Sequence, residues 1–190
     1  MKAVLAAILT LASGFAGAQD PKRVAAIWDA ANERISKQVD IWFEDGEFPM
    51  TIQLLRVQVD LYPDDYDVAT NLGWMLENIE EWELAREAYA SYRKANPREV
   101  DAALPEAEFM FRRKKYEEVL RLLGKVNDKA HPNAFRILAH SYERLNRLSE
   151  SQKVWKRYIS LAPKDLTAVK NLERVEKKLA AQKGALSIRR

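Results

Sequence analysis

The chain has no cysteine. Disulfides, thiolate chemistry, Cys-ligated zinc and a lipid carried on Cys are therefore excluded. Histidine is scarce as well, with only His131 and His140 in 190 residues. Six glycines and seven prolines are few for an all-β protein, and none of the glycines builds a phosphate-cradling loop or a nucleophile elbow. No Pro/Gly/Ser-rich linker divides the chain, and its length suits one domain. No apolar run reaches the about 20 residues that a membrane-spanning helix needs. What remains is dominated by helix formers, so an all-α fold is expected.

The first residues form a separate class. "MKAVLAAILTLASGFAGAQD" opens with Lys2, continues as an uncharged apolar run from Ala3 to Ala12 and reaches Ala16-Gly17-Ala18. A basic start, a short apolar stretch and a small-x-small site are the marks of a secretory leader, here spanning residues 1–18 with cleavage near Ala18-Gln19. The mature chain is expected in the periplasm or secreted, and not spanning a membrane.

A repeat of 34 residues organises the rest. Phe48, Trp82, Tyr116 and Leu148 follow one another at steps of 34, 34 and 32. So do Val39, Gly73, Ala107 and Ala139; Thr51, Ala85, Val119 and Ser151; and Leu55, Tyr89, Leu123 and Trp155. Pro63, Pro97 and Pro163 close the corresponding units, and the two missing residues fall in the turn "NDKAHP". A fixed period of this length marks an array of stacked supersecondary units. In the second unit the spacing predicts a helix A over 68–78 and a helix B over 83–95. Gly73 and Ala85 are expected to admit a close helix approach, with Trp82, Tyr89 and Tyr92 filling the space beside them.

The stretches "ATNLGWML…WELAREAYASYRKANP", "IWFEDGEFPMTIQLLRVQVDLYP" and "FRILAHSYERLNRLSESQKVWKRYISLAP" resemble the tetratricopeptide repeat (TPR) family. The resemblance covers about four repeats, near 32–65, 66–99, 100–131 and 132–165. It implies a right-handed α-solenoid whose A helices line a concave groove. Pro105 and Glu106 depart from the pattern and predict that the third A helix starts late or bends. Asp20-Pro21 reads as the start of a long first helix with an apolar stripe through Val24, Ile27, Trp28, Ala31, Ile35, Val39 and Trp42. A capping helix is expected over about 166–180, completing a solenoid over 19–180, and a flexible basic tail over 181–190.

Repeats and caps leave no room for a catalytic domain, so no enzymatic activity and no cofactor are expected. A metal site at His140 is disfavoured, because its neighbours at helical spacing are Arg136, Ile137, Glu143 and Arg144. The expected site is instead a surface for a protein or peptide. The outward A-helix positions give Phe43, Trp74 and Phe111 as aromatic anchors. Arg112, Arg136, Arg144, Lys170 and Arg174 supply charge, with His140 beside them. The resemblance adds Asn71 and Asn171 as positions that hydrogen-bond a peptide backbone. The family's carboxylate clamp is absent, since Ser36, Asp40, Asp101 and Pro105 stand where its Lys, Asn and Arg residues would be.

Charge is divided along the chain. Residues 19–99 hold 9 basic and 17 acidic residues, and residues 100–190 hold 21 and 11. The basic half could attract an anionic partner. Nucleic acid is not expected. The leading reading is a non-catalytic extracytoplasmic scaffold or adaptor. Head-to-tail self-assembly through oppositely charged ends, or an accessory role in envelope or cell-wall assembly, are the alternatives.

Overall fold

The structure is a computed structural model that describes residues 20–188, with side chains described through residue 184. The leader and its cleavage site lie outside the described residues. Nine helices, and no strand, are found among the described residues: α1 (Pro21–Glu44), α2 (Phe48–Leu61), α3 (Tyr66–Asn78), α4 (Trp82–Ala95), α5 (Leu104–Arg112), α6 (Tyr116–Leu123), α7 (Pro132–Arg144), α8 (Leu148–Leu161) and α9 (Leu166–Ile188). They fall into two compact units, divided between Leu54 and Leu55.

In the first unit, Asp20 caps α1 by accepting from the Lys22 N–H at 3.1 Å, and Pro21 takes the first helical position. The predicted stripe is visible as half-buried Val24, Ala31, Ile35, Val39 and Trp42, but no residue of α1 is fully buried. Ile27 and Trp28 are exposed.

The second unit is built from hairpins. Helix α3 packs on α4, α5 on α6 and α7 on α8, while α9 closes on α8. The repeat positions read from the sequence are its core. Ala85, Val119 and Ser151 are all fully buried, as are Ala107 and Ala139, and Thr51, in the same phase, is fully buried in the first unit. Leu55, Tyr89, Leu123 and Trp155, the large residues in phase, are buried too. Gly73 shows why the small positions matter. A Cβ placed on it would lie 2.3 Å from Cε1 of Tyr89, so the Tyr89 ring occupies the volume a side chain would need.

The hairpin turns repeat as regularly as the core. Gly46, Glu80, Lys114 and Asn146 all adopt positive φ, between 56° and 78°. The residue after each donates its N–H back across the turn: Glu47 to Trp42 O, Glu81 to Leu76 O, Lys115 to Met110 O and Arg147 to Tyr142 O, at 2.8–2.9 Å. This is the Schellman closure, which satisfies helix-end carbonyls by placing one residue in the left-handed region. Glycine fills that position once. Elsewhere Glu, Lys and Asn accept the strain.

The third hairpin is short. Helix α5 has nine residues and α6 has eight. As Pro105 predicts, α5 starts late, at Leu104, with the proline in its first turn. Leu104 itself is buried. Glu106 is buried as well and accepts from Arg93 Nε at 2.7 Å, so the polar residue in an apolar position is matched by a cation from α4. At the end of the chain, α9 continues past the expected limit near residue 180 to Ile188. Ala180, Ala181, Gln182, Lys183, Ala185 and Leu186 are good helix formers, and no proline interrupts them.

Candidate functional site

The A-helix positions singled out from the sequence separate into two groups. Exposed on α3 are Asn71 and Trp74, the latter 48% accessible although its helix neighbours Gly73 and Met75 are buried. A rigid helix thus carries a large amphipathic ring at the surface. Arg144 and Lys170 are likewise exposed, and neither forms an ion pair with another described residue. Phe43 belongs to the first unit, where its ring lies 6.0 Å from that of Phe48.

The other group holds the helices to one another. Arg112 on α5 forks onto Glu77 on α3, its Nε donating to Oε2 at 3.1 Å and its Nη2 to Oε1. Glu77 also accepts from the Tyr89 hydroxyl at 2.7 Å. Arg136 donates to Asp165 Oδ2 at 2.8 Å and to the Tyr158 hydroxyl at 3.2 Å. Arg174 on α9 forks onto Glu143 on α7 at 3.2 and 2.7 Å, and donates to Asn171 Oδ1 at 2.6 Å. Lys178 adds a third cationic contact to Glu143 at 2.8 Å. Phe111 packs between Tyr116 and His140, and the His140 ring stands edge-on to Trp155 at 5.1 Å.

The electrostatics follow from this pairing. Burial alone would raise the Glu143 pKa, but hydrogen bonds from Arg174 and Lys178 outweigh it and bring it down to about 2. Asp165 is held at about 2 by Arg136, the Ala168 N–H and Tyr158. Burial lowers the His140 pKa, opposed by Glu143 and assisted by Arg174. These Arg–carboxylate forks run from one A helix to the next and tie successive hairpins together. The sequence named the residues but not their commitment, because partners 29 to 35 positions apart become neighbours only through the repeat.

A second feature escaped the sequence reading. Where hairpins two and three meet, a cavity of about 410 Å³ is lined by Tyr66, Tyr92, Glu99, Val100, Asp101, Ala102, Leu104, Glu108 and His131. The Tyr66 and Tyr92 rings meet edge to face at 5.7 Å. Burial and then the charges of Glu108 and Asp101 push the Tyr66 hydroxyl up to about 12, and burial followed by Glu99 raises that of Tyr92. Asp101 Oδ1 accepts from the His131 N–H at 2.9 Å, and Glu108 Oε1 accepts from Asn133 Nδ2. Both donors are neutral. The acidic bias of residues 19–99 was legible, but no spacing along the chain announces that positions 66, 92, 101 and 108 share one wall.

Among the described residues, no group of His, Asp and Glu is arranged to hold a metal ion, and no helix is long and apolar enough to cross a membrane. Paired helices at a fixed period, repeated turn geometry and A-to-A contacts define a helical-repeat array of the tetratricopeptide type. Among solved structures the chain is similar to MamA from Desulfovibrio magneticus RS-1 over 82% of its length and 89% of that chain, with a TM-score of 0.62 and 16% identity. It is similar to MamA AMB-1 over 81% and 92%, at 0.57 and 19%, and to MamA MSR-1 over 80% and 89%, at 0.57 and 17%. At these identities the likeness is one of fold. No known family profile matches the chain, and no curated protein matches it.

Proposed function

We propose that the protein is a non-catalytic, extracytoplasmic scaffold that binds a protein or peptide along the exposed positions of its A helices. The observation that carries this reading is Trp74, an exposed indole on a helix whose opposite face is fixed in the core. A preformed surface of this kind binds with little ordering cost. Asn71, one turn before Trp74, supplies amide donors and acceptors, while Arg144 and Lys170 supply cations not already engaged within the array. Arg112, Arg136, Arg174, His140, Asn171 and Phe111 set the spacing of the A helices and meet a partner with whatever edge remains accessible. Phe43 is a separate aromatic candidate of the first unit. The basic half would favour an anionic region of the partner. Export rests on the leader of residues 1–18, and solenoid, cap and tail keep the limits given above apart from the longer last helix.

The test is position-specific photocrosslinking in the native cell. A photoreactive residue at Asn71 or Arg144, on A helices, is expected to capture one defined protein. The same residue at Arg86 or Lys153, exposed on B helices, is expected not to. Equal capture from both sets, or none from Asn71 and Arg144, would remove the A-helix surface from consideration. Trp74→Ala should reduce capture while leaving the urea midpoint nearly unchanged.

A further inference from the structure

Four turns carry the chain from a B helix to the next A helix: α2 to α3, α4 to α5, α6 to α7 and α8 to α9. All belong to the second unit. Hydrogen bonds link each to the next. The Asn96 amide donates to Pro63 O at 3.0 Å, the His131 N–H donates to Asp101 Oδ1 at 2.9 Å, and Arg157, near the end of α8, donates from Nη2 to Val126 O at 2.9 Å. The four turns therefore form one continuous edge of the array.

This edge is apolar where it meets solvent. Tyr66, Val100 and Leu166 stand at one phase of the repeat, and Leu61 and Leu161 at another. All five are between 37% and 71% exposed. On the opposite edge, where A helices turn into B helices, Ile79 is the one exposed large apolar residue of the second unit's turns. Exposed apolar side chains gathered along one edge mark a contact surface.

Charge along the same edge is graded. The first turn holds Asp60, Asp64, Asp65 and Asp67, and the nearest cation in sequence is Arg56, one helical turn earlier. The second sets Arg98 against Glu99 and Asp101. At the third, Lys125 and Lys129 are exposed, while Asp128 is taken by Arg157. At the fourth, Lys164 is exposed, while Asp165 is taken by Arg136. Neither these lysines nor Asp60, Asp64 and Asp67 form an ion pair among the described residues.

We propose that this edge joins two copies of the chain about a two-fold axis that crosses it between the second and third turns. The copies then run antiparallel. Leu61 and Tyr66 pack on Leu161 and Leu166 of the second copy, Asp60, Asp64 and Asp67 face its Lys164, and Glu99 faces its Lys125 and Lys129. Charge sets the direction, because a parallel pairing would place Asp64 on Asp64 and Lys164 on Lys164. Any other partner needs the same apolar spacing and the reverse charge gradient, and a second copy has both by symmetry. Such an isologous contact closes on itself and gives dimers, not filaments. It uses turn residues and not Asn71, Trp74 or Arg144, so a dimer displays two A-helix surfaces.

The test uses the full chain and sedimentation equilibrium. A dimer is expected at about 10–100 µM chain in low salt, weakening as salt rises. Asp64→Lys and Lys164→Glu, both at exposed side chains, should each raise the dissociation constant about tenfold or more, since each places two like-charge contacts in the interface. The double variant restores opposite charges across the axis and should recover most of the affinity. Leu166→Ser should weaken the dimer as well, and the circular dichroism of every variant should match the parent. Because the chain has no cysteine, a single introduced thiol reads the direction. With a short bismaleimide, Tyr66→Cys mixed with Leu166→Cys should give cross-linked dimer, and either alone should give little.

A monomer throughout that range, an affinity indifferent to both charge reversals, or a double variant that recovers nothing would overturn the proposal. So would Tyr66→Cys linking to itself in preference to Leu166→Cys, which would make the copies parallel. A monomer in which a photoreactive residue at Val100 captures a different protein in the cell would overturn it too, and give the edge to that protein. Capture from Asn71 does not depend on this edge, so the dimer and the scaffold reading fail separately.

Discussion

Gly73→Ala sets two opposing effects against each other at one atom. In the middle of a helix, alanine is favoured over glycine by about 0.8–1 kcal/mol. In α3 that gain meets the Tyr89 ring, which lies 2.3, 2.4 and 2.8 Å from the position of the new Cβ at Cε1, Cζ and Cδ1. Ordinary contact between carbons is about 3.5–4.0 Å, so the ring would have to retreat by about 1 Å or more. It has little room to do so. Tyr89 is buried, its ring packs 6.0 Å from that of Phe109, and its hydroxyl is anchored on Glu77. Moving the ring puts at risk a hydrogen bond worth about 1 kcal/mol, on top of an overpacking cost of about 1–3 kcal/mol. The helix gain is smaller than the sum, so Gly73→Ala is expected to destabilise by about 1–3 kcal/mol. Urea unfolding with an unchanged slope measures this directly. In a Tyr89→Leu background, which copies the leucine found in phase at Leu55 and Leu123, the same substitution should change sign and stabilise by up to about 1 kcal/mol. A Gly73→Ala protein as stable as the parent, or the same loss in both backgrounds, would refute the argument from ring contact.

Three further outcomes follow from the geometry. Lys114→Gly should stabilise by about 0.5–1 kcal/mol, because the left-handed cost to a Cβ-bearing residue of about 1–2 kcal/mol exceeds the entropic cost of glycine; a lower melting temperature would contradict it. Arg93→Met leaves buried Glu106 without its cation and should cost about 3–5 kcal/mol in chemical denaturation, whereas Arg93→Met with Glu106→Leu should recover most of it; no recovery would show that the pair is not the cause. Glu143 and Asp165, each with a folded pKa of about 2 against an unfolded value near 4, bind protons less readily in the fold. Their contribution is therefore complete above about pH 4.5 and lost as the pH falls toward 2. His140, lowered by burial, adds a loss that begins below about pH 6.5, where the unfolded chain takes up the proton first. Melting temperatures of the parent and of Glu143→Gln between pH 7 and 2.5 should diverge above pH 4.5 and converge toward pH 2.5; parallel curves would count against the assignment.

Hairpin and core positions were legible because both are periodic. Thr51, Ala85, Val119 and Ser151 share a phase in the sequence and are all buried in the fold. Pro105 announced the late start of α5 because its missing N–H and fixed φ act locally. The surface was read less completely. Arg112, Arg136 and Arg174 were correctly placed on A helices, but a cation's partner is set by distance in space, and theirs stand 29 to 35 residues away. Glu106 looked like a defect in the repeat until Arg93 appeared beside it. The Tyr66–Tyr92–Asp101–Glu108 cavity joins three helices and a loop, so no single stretch carried its signature.

The shortness of the third hairpin has a bearing on how the array responds to a bound partner. In a linear stack each unit is steadied by its neighbours alone, and helices of nine and eight residues give the joint beside them the least to grip. Amide exchange is expected to begin there. A partner laid along the A helices would bridge this joint and brace the weakest link. Slower exchange in α5 and α6 would then report the bound partner from within the chain.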